Sequence, residues 1–277
     1  MEGNPCIHIR GQLGSLGNSI IQRLLRSKVD IVIQQRNYES IISNFSTELE
    51  FSESNIHSSE QYELIPGHRM LLLGFADYRD DFDDANTGIG MGGVEVILVT
   101  PNLDELEIDT SEIDSHVVIH DMIPSASTPP WDCSQLDTFM SALVSDNVIE
   151  DSESSGWWIA ELDVSDAISR LVISDHPMPV KIDISGRRSW NSKQIFEELE
   201  MLYKRTIAGQ SGEFLASHLT STSTPGIAVI LAKDVKQLNR PDLKLLHDAL
   251  IKSDGEGWRP TTPIRTGLMH FLIGKMN

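Results

Sequence analysis

The sequence predicts an α/β protein built on a doubly wound parallel sheet. Three observations carry that reading: a strand, glycine turn and helix open the chain, a second apolar strand follows at once, and short apolar runs then keep alternating with helical segments. In the first forty residues Cys6-Ile7-His8-Ile9-Arg10 runs into Gly11-x-x-Gly14-x-x-Gly17, followed by Ile20, Ile21, Leu24 and Leu25 at helical spacing. Val29–Ile33 reads as the second strand, ending at Gln35-Arg36. A glycine loop inside a complete βαβ unit is the Rossmann-type dinucleotide-binding arrangement.

Each glycine has a physical task in that arrangement. One makes the tight turn, one lets a pyrophosphate approach the backbone, and one lets the helix pack closely on the strand. The loop residues Gly11, Leu13, Gly14, Ser15, Leu16 and Gly17 are therefore the candidate cofactor-binding set, with the helix N-terminus facing the phosphates. The end of the second strand normally announces the cofactor, because an acidic residue there accepts the ribose hydroxyls of NAD. Gln35 stands at that position and Arg36 follows it, which suits a 2′-phosphate and favours NADP over NAD. Arg36 as a solvated surface arginine is an equal alternative.

Further strands are expected at Arg69–Gly74, Val94–Thr100 and His116–His120, whose near-continuous apolar character fits parallel strands buried on both faces. Glu48-Leu49-Glu50-Phe51 is the candidate third strand. The pattern changes at Pro124–Pro130, a proline and serine cluster. Beyond it, Leu136, Phe139, Met140, Leu143 and Val144 have helical spacing, Asp151–Gly156 is a polar loop, and Trp157–Leu162 reads as a strand. Asp163 then caps a helix through Ile168, Lys181–Gly186 is another strand, and Ser192 caps a helix through Ile195, Phe196, Leu199 and Leu202. The expected organisation is a dinucleotide-binding domain over 1–123, to which 157–175 returns, and a smaller C-terminal α/β substrate lobe over 124–277.

Composition sets outer bounds. The chain has 277 residues, 40% of them hydrophobic, and a mean hydropathy of -0.17, which predicts a globular chain with a large core. No apolar run is long enough for a membrane span, and the N-terminus lacks a basic region followed by an apolar stretch, so a cytoplasmic location is expected. Forty-one acidic against twenty-two basic residues give a net charge of -19. Such a surface repels nucleic acid and anionic membranes, and neither is expected as a partner. Cys6 and Cys133 are the two cysteines; they support neither a disulfide scaffold nor a cysteine metal site, and no metal is expected.

Several pieces, in order, resemble the extended short-chain dehydrogenase/reductase family, the NAD-dependent epimerases and dehydratases of nucleotide sugars. Gly11 to Gly17 matches the family's glycine spacing. Trp158–Ile168 is similar to its strand into an Asp-Val-x-x-Ala-Ile helix, Lys181–Gly186 to the strand that follows, and Gly257-Trp258-Arg259-Pro260 through Leu268 to its closing Gly-Trp-x-Pro segment and helix. The resemblance covers most of the chain. It implies a Rossmann-type cofactor domain, a lobe that closes over a nucleotide-linked ligand, and hydride exchange with NAD or NADP.

The resemblance also implies a Tyr with a Lys four residues later on one helix, where the phenol exchanges a proton with substrate and the lysine lowers its pKa. The chain's tyrosines are Tyr38, Tyr62, Tyr78 and Tyr203, and four residues beyond them stand Ile42, Pro66, Phe82 and Ile207. The pair is absent. The interval between the fifth and sixth strands is too short for the helix that carries it, which also removes the surface through which family dimers commonly pack. Thr100 matches the family's catalytic Ser or Thr at the end of the fifth strand, or is a turn residue. Tyr203-Lys204 does not replace the pair, because adjacent helical residues point about 100° apart.

Other signals are weaker. Asn86-Thr87-Gly88 is a poor match to the family's Asn-x-Gly-Thr region. Arg240 corresponds to the family's late arginine that contacts a nucleotide diphosphate, with a surface arginine the alternative. Arg187-Arg188 reads as a turn, His116 and His120 as strand-end histidines without further metal ligands, and Asp77–Asp84 as a solvated acidic loop. Two functional classes follow: an epimerase/dehydratase-type NAD(P) protein with a nucleotide ligand and without standard Tyr-Lys chemistry, or a catalytically silent Rossmann-fold subunit that binds a partner protein or a second copy of itself.

Overall fold

The computed structural model describes residues 4–74, 92–102, 113–126, 131, 133–145, 154–219 and 240–276, and the statements below concern these. The chain opens with β1 (Cys6–Gly11), α1 (Gly14–Leu24), β2 (Asp30–Ile33), α2 (Gln35–Asn44), α3 (Ser46–Phe51) and β3 (Asn55–Ser58). It then crosses to β4 (Arg69–Leu73), β5 (Glu95–Pro101) and β6 (Ser115–Ile119). Later elements are β7 (Met122–Ile123), α4 (Ser134–Val144), β8 (Ser155–Gly156), β9 (Ile159–Ala160), α5 (Glu161–Val172), β10 (Lys181–Ile184), β11 (Trp190–Asn191), α6 (Ser192–Ser211), a 3₁₀ turn at Ala216–Leu219, α7 (Lys244–Asp254) and α8 (Ile264–Met276). Among them no helix is long and apolar enough to cross a membrane.

The main sheet has seven strands in the order β10-β6-β5-β4-β1-β2-β3, and every neighbouring pair is parallel. The order reverses between β1 and β4, which is the topological switch point of a doubly wound sheet. The expected fold class is therefore the observed one. One face of the sheet is apolar: Ile7, Ile9, Ile31, Ile33, Leu71, Leu73, Ile97, Val99, Val117, Ile119, Ile182 and Ile184 are buried there against α1, α5 and α7 in a single core. On the opposite face β1 carries Cys6, His8 and Arg10, all buried, beside an apolar patch from Met70, Leu72, Val96 and Leu98.

α1 docks on α5 through complementary polar groups at the edge of the apolar contact. The Arg23 guanidinium donates to Ser165 Oγ at 3.0 Å and the Leu162 carbonyl at 2.8 Å, and meets Asp166 at 2.7 Å. A second core joins α4, α6 and α8, with Leu136, Phe139, Trp158, Ile195, Leu199, Leu268 and Phe271 buried. The chain after residue 124 does not stay with this second core. β10 completes the main sheet, and Leu246, Leu250 and Trp258 return to the first core. Trp258 Nε1 donates to the Ser185 carbonyl at 3.2 Å, which fastens the Gly-Trp-x-Pro segment beside β10.

Local expectations failed at four places for identifiable reasons. Residues 48–51 lie in α3, and the third strand is β3, whose Ile56 and Ser58 alternate into the sheet; an apolar residue every second position over four residues does not distinguish one helical turn from a strand. Trp157–Leu162 is a strand only at Ile159–Ala160, because α5 begins at Glu161 behind Ala160. Asp163 therefore sits in the first helical turn. Its carboxylate reaches out of the helix to accept the Thr261 and Thr262 N–H groups at 2.9 and 3.1 Å. Asn191, one residue before Ser192, caps α6 in a reciprocal capping box with Gln194.

Buried Asp163 is the acceptor for two N–H groups nearly a hundred residues away, so its removal leaves both without their partner. Asp163→Ala is expected to lower the unfolding free energy by about 1–3 kcal/mol, read as a lower urea midpoint with an unchanged slope; an unchanged midpoint would show that the 260–262 segment does not depend on it.

Candidate functional site

The candidate site is the carboxyl edge of the sheet at the switch point, where β1 turns into α1. Gly11 has φ +88°, and a Cβ there would overlap the Leu73 carbonyl oxygen. That carbonyl is taken by the Gln12 N–H at 2.7 Å, so β1 stays hydrogen-bonded to β4 up to the turn. Gly14 has φ +52°, and a Cβ on Gly17 would stand 2.7 Å from the Leu13 Cβ. Two of these glycines supply backbone conformations that a side chain disfavours and the third supplies close packing. Leu13, the residue before α1, makes no side-chain cap. The first turn of α1 therefore has no side chain of that residue satisfying its N–H groups, which is the usual condition of an anion site.

The remaining loop residues are not turned towards solvent alone. Leu16 is fully buried and Leu13 nearly so, both in the first core. Ser15 Oγ lies 2.5 Å from Glu161 Oε2 and 3.1 Å from the Ala126 carbonyl. The same Glu161 oxygen accepts the Ser125 N–H at 3.0 Å. Burial pushes the Glu161 carboxyl above the ordinary carboxylate range, and the Ser15 and Ser125 hydrogen bonds only partly offset this. Trp131, 2% exposed, donates from Nε1 to the Gln12 carbonyl at 2.8 Å and so covers the turn.

At the end of β2 the structure brings Gln34, rather than Gln35, to the glycine loop. Gln34 is buried, and its Oε1 accepts from the Gly11 N–H at 3.3 Å and from the Arg36 guanidinium at 3.1 Å. Gln35 instead pairs with Ser58 at the end of β3. The sequence reading missed Gln34 by one position because the strand end is not legible to a single residue. Arg36 is exposed in the first turn of α2. A cation there opposes the helix dipole, and an anionic ligand would relieve the opposition.

Thr100 lies in β5 with its side chain on the polar face of the sheet, 1% exposed, and its hydroxyl is 2.9 Å from His116 Nε2. Burial, and then Lys181, hold the His116 imidazole below its ordinary pKa, so it is neutral at neutral pH. Beyond it on the same face His120 Nε2 contacts Asp183 Oδ1 at 2.7 Å, and that hydrogen bond depresses the Asp183 carboxyl. The histidines were read from sequence as strand ends; their partners lie on the neighbouring strands β5 and β10. The next residue, Asp121, has φ +47°, which turns its carboxylate back to accept the Trp157 N–H at 2.6 Å. Arg240 stacks over the Trp157 ring at 5.6 Å. Thr100, the His120–Asp183 pair and Arg240 thus lie towards the carboxyl ends of β5, β6 and β10, with His116 reaching Thr100 from the amino half of β6.

Tyr203 and Lys204 are not part of this edge. Tyr203 packs against the second core from α6, and Lys204 pairs with Glu200 one turn back at 2.6 Å. Arg188 lies over the Trp190 ring at 4.7 Å, as befits a turn residue next to β11. Tyr78, the acidic stretch 77–84, Asn86-Thr87-Gly88 and most of the β5–β6 interval lie outside the described residues.

Fold and site together define a Rossmann-type α/β protein with the extended short-chain dehydrogenase/reductase fold. The chain is similar to UDP-glucuronic acid 4-epimerase from Bacillus cereus, solved with UDP-glucuronic acid and NAD, at a TM-score of 0.53 and 13% identity over 98% of this chain and 99% of that one. It is similar to a UDP-galactose 4-epimerase at a TM-score of 0.53 and 11% identity, with 98% of each chain covered. It is also similar to the aureusimine biosynthetic cluster reductase domain at 0.53 and 12% identity, over 99% of this chain and 92% of that one. No family model matches the sequence, and no curated protein matches it. The likeness therefore lies in the backbone.

Glu161 supplies a pH test of this edge. Its pKa is higher folded than unfolded, so the folded chain binds more protons just above the ordinary carboxylate range and stability falls as pH rises through that window. Glu161→Gln keeps an oxygen to accept from Ser15 and Ser125 without the buried charge. Urea titrations at stepped pH are expected to show it more stable than wild type at pH 7, with that fall flattened; parallel curves would mean that Glu161 is ionised at no cost.

Proposed function

We propose that the protein binds a nicotinamide dinucleotide at the glycine loop, NADP in preference to NAD, and is an epimerase/dehydratase-type protein that works without the Tyr-Lys pair. The observation that carries this reading is the turn at Gly11 and Gly14, held at positive φ at the sheet's switch point beside a helix start without a side-chain cap. The pyrophosphate would lie against Gly11, Gly14, Ser15 and the first turn of α1. Gln34 would meet the adenosine ribose, and Arg36 a 2′-phosphate through a charge-assisted contact. The solved relatives that carry NAD support the class of ligand.

A nicotinamide so placed would supply hydride exchange when bound. Among the described residues, the Thr100–His116 and His120–Asp183 pairs are candidates to hold a proton beside it. Thr100 would orient a substrate hydroxyl, with His116 as its neutral acceptor. Arg240 would bind an anionic, nucleotide-linked group. The resident contacts of Trp131 with Gln12 and of Ser15 with Glu161 favour the second reading, a silent Rossmann-fold subunit that meets a partner protein or a second copy, because the chain itself already occupies part of the cradle.

Calorimetric titration with NADP and NAD decides between them. Saturable NADP binding is expected, weakened about tenfold or more in Arg36→Ala, as loss of one charged hydrogen bond predicts, with NAD binding unchanged. Binding of neither nucleotide would overturn the reading and leave the glycine turn a structural joint. With nucleotide bound, Thr100→Val is expected to abolish any NAD(P)H absorbance change seen across a panel of nucleotide sugars; an unaltered rate would remove Thr100 from the chemistry.

A further inference from the structure

The opposite end of β1 from the glycine loop carries a cluster that the function above does not use. Cys6 and His8 are two residues apart in a strand and therefore share one face. β1 pairs with β4 so that Ile7 lies beside Arg69, which brings His68, just before β4, alongside Cys6. One ligand atom from each of Cys6, His8 and His68 lies within 4.8 Å of the other two, and His8 Nε2 is 3.1 Å from His68 Nδ1. Cys6 and His8 are buried, and His68 opens the cluster to solvent.

We propose that Cys6, His8 and His68 form a binding site for a thiophilic, borderline-soft divalent cation, Zn²⁺ first, with a fourth position open to water. One thiolate and two imidazoles are the donor types that Zn²⁺ prefers, and three protein ligands with one open position is a familiar arrangement for it. A hard cation such as Mg²⁺ or Ca²⁺ would need oxygen ligands that these three residues do not offer.

The packing around His8 leaves one of its ring nitrogens unclaimed. His8 is fully buried, and its Nδ1 has no hydrogen-bond partner among the described residues, so the ring is held in place by packing and by the cluster itself. Tyr62 stacks on His57 at 4.4 Å beside the cluster. Asp30 lies 3.7 Å from His57 on the same side of the cluster.

Zn²⁺ binding replaces the S–H bond with a Zn–S bond, and the proton leaves to solvent. Binding must therefore release a proton and strengthen as pH rises. The charged and titratable groups around the thiol and imidazoles are Arg10 on β1, Asp30 on β2, His57 on β3, and Tyr62 and His68 ahead of β4.

Titration of the purified full chain with Zn²⁺ against a chromophoric chelator, and with Co²⁺ followed by absorbance, tests the site. Equimolar Zn²⁺ binding and a sulfur-to-cobalt charge-transfer band in the near ultraviolet are expected. Cys6→Ser should abolish the band, and His68→Gln should weaken Zn²⁺ binding by at least about tenfold. His68 is partly exposed, so the second variant tests the site even if the first does not fold; circular dichroism in the absence of metal checks both. No equimolar binding by the wild type, binding without the charge-transfer band, or binding unchanged in His68→Gln would each overturn the proposal. None of these results depends on whether a dinucleotide binds at the other end of β1.

Discussion

The arrangement of the whole molecule depends on how closely β1 and β4 approach at their carboxyl ends. Because Gly11 has no side chain, the Leu73 carbonyl can lie against it and accept the Gln12 N–H. The chain can then leave the sheet and start α1 within three residues. α1 in turn packs on α5, and Gly17 lets Leu13 and Leu73 close beneath it. Trp131 reaches the same turn from the segment after β7. The turn is thus both the expected ligand cradle and the joint where the segment after β7 meets the sheet.

The first turn of α5 fastens that joint from the other side. Glu161 and Asp163 are two residues apart on a helix, so their carboxyls point in nearly opposite directions. Glu161 turns to Ser15 and Ser125 at the glycine loop, whereas Asp163 turns to the 261–262 backbone. Two acidic groups in one helical start are favoured by the helix dipole, and here each also replaces water around buried N–H or O–H donors. The second core is therefore connected to the first by polar contacts of defined direction as well as by apolar packing.

The sheet has unlike faces. Its α1 face is aliphatic along the middle of the strands, with Arg69, Glu95, Ser115 and Ser58 only at strand ends, but the other carries Cys6, His8, Arg10, Thr100, His116 and Asp183. Buried polar groups of this kind persist when they have partners. Thr100 with His116, His120 with Asp183, and His8 with His68 are pairs made across strands or from the loop before one, so each depends on register. A shift of one residue in β5 against β6 would turn Thr100 away from His116.

The sequence by itself determined the backbone plan. The glycine spacing, the apolar runs and the Trp158–Ile168 and Gly257–Leu268 segments were sufficient for a doubly wound sheet, because strand burial and helix periodicity are local properties. The missing Tyr-Lys spacing was equally legible, since it is counted along the chain. Short apolar runs such as 48–51 were not, because one turn of helix and two steps of strand give the same pattern. Which side chains meet was decided by the tertiary structure: Gln34 rather than Gln35 at Gly11, His116 at Thr100, Glu161 at Ser15, and His68 beside Cys6 and His8. These contacts span from 16 to 146 residues of chain, and strand order and register, which no local pattern encodes, bring them within hydrogen-bonding reach.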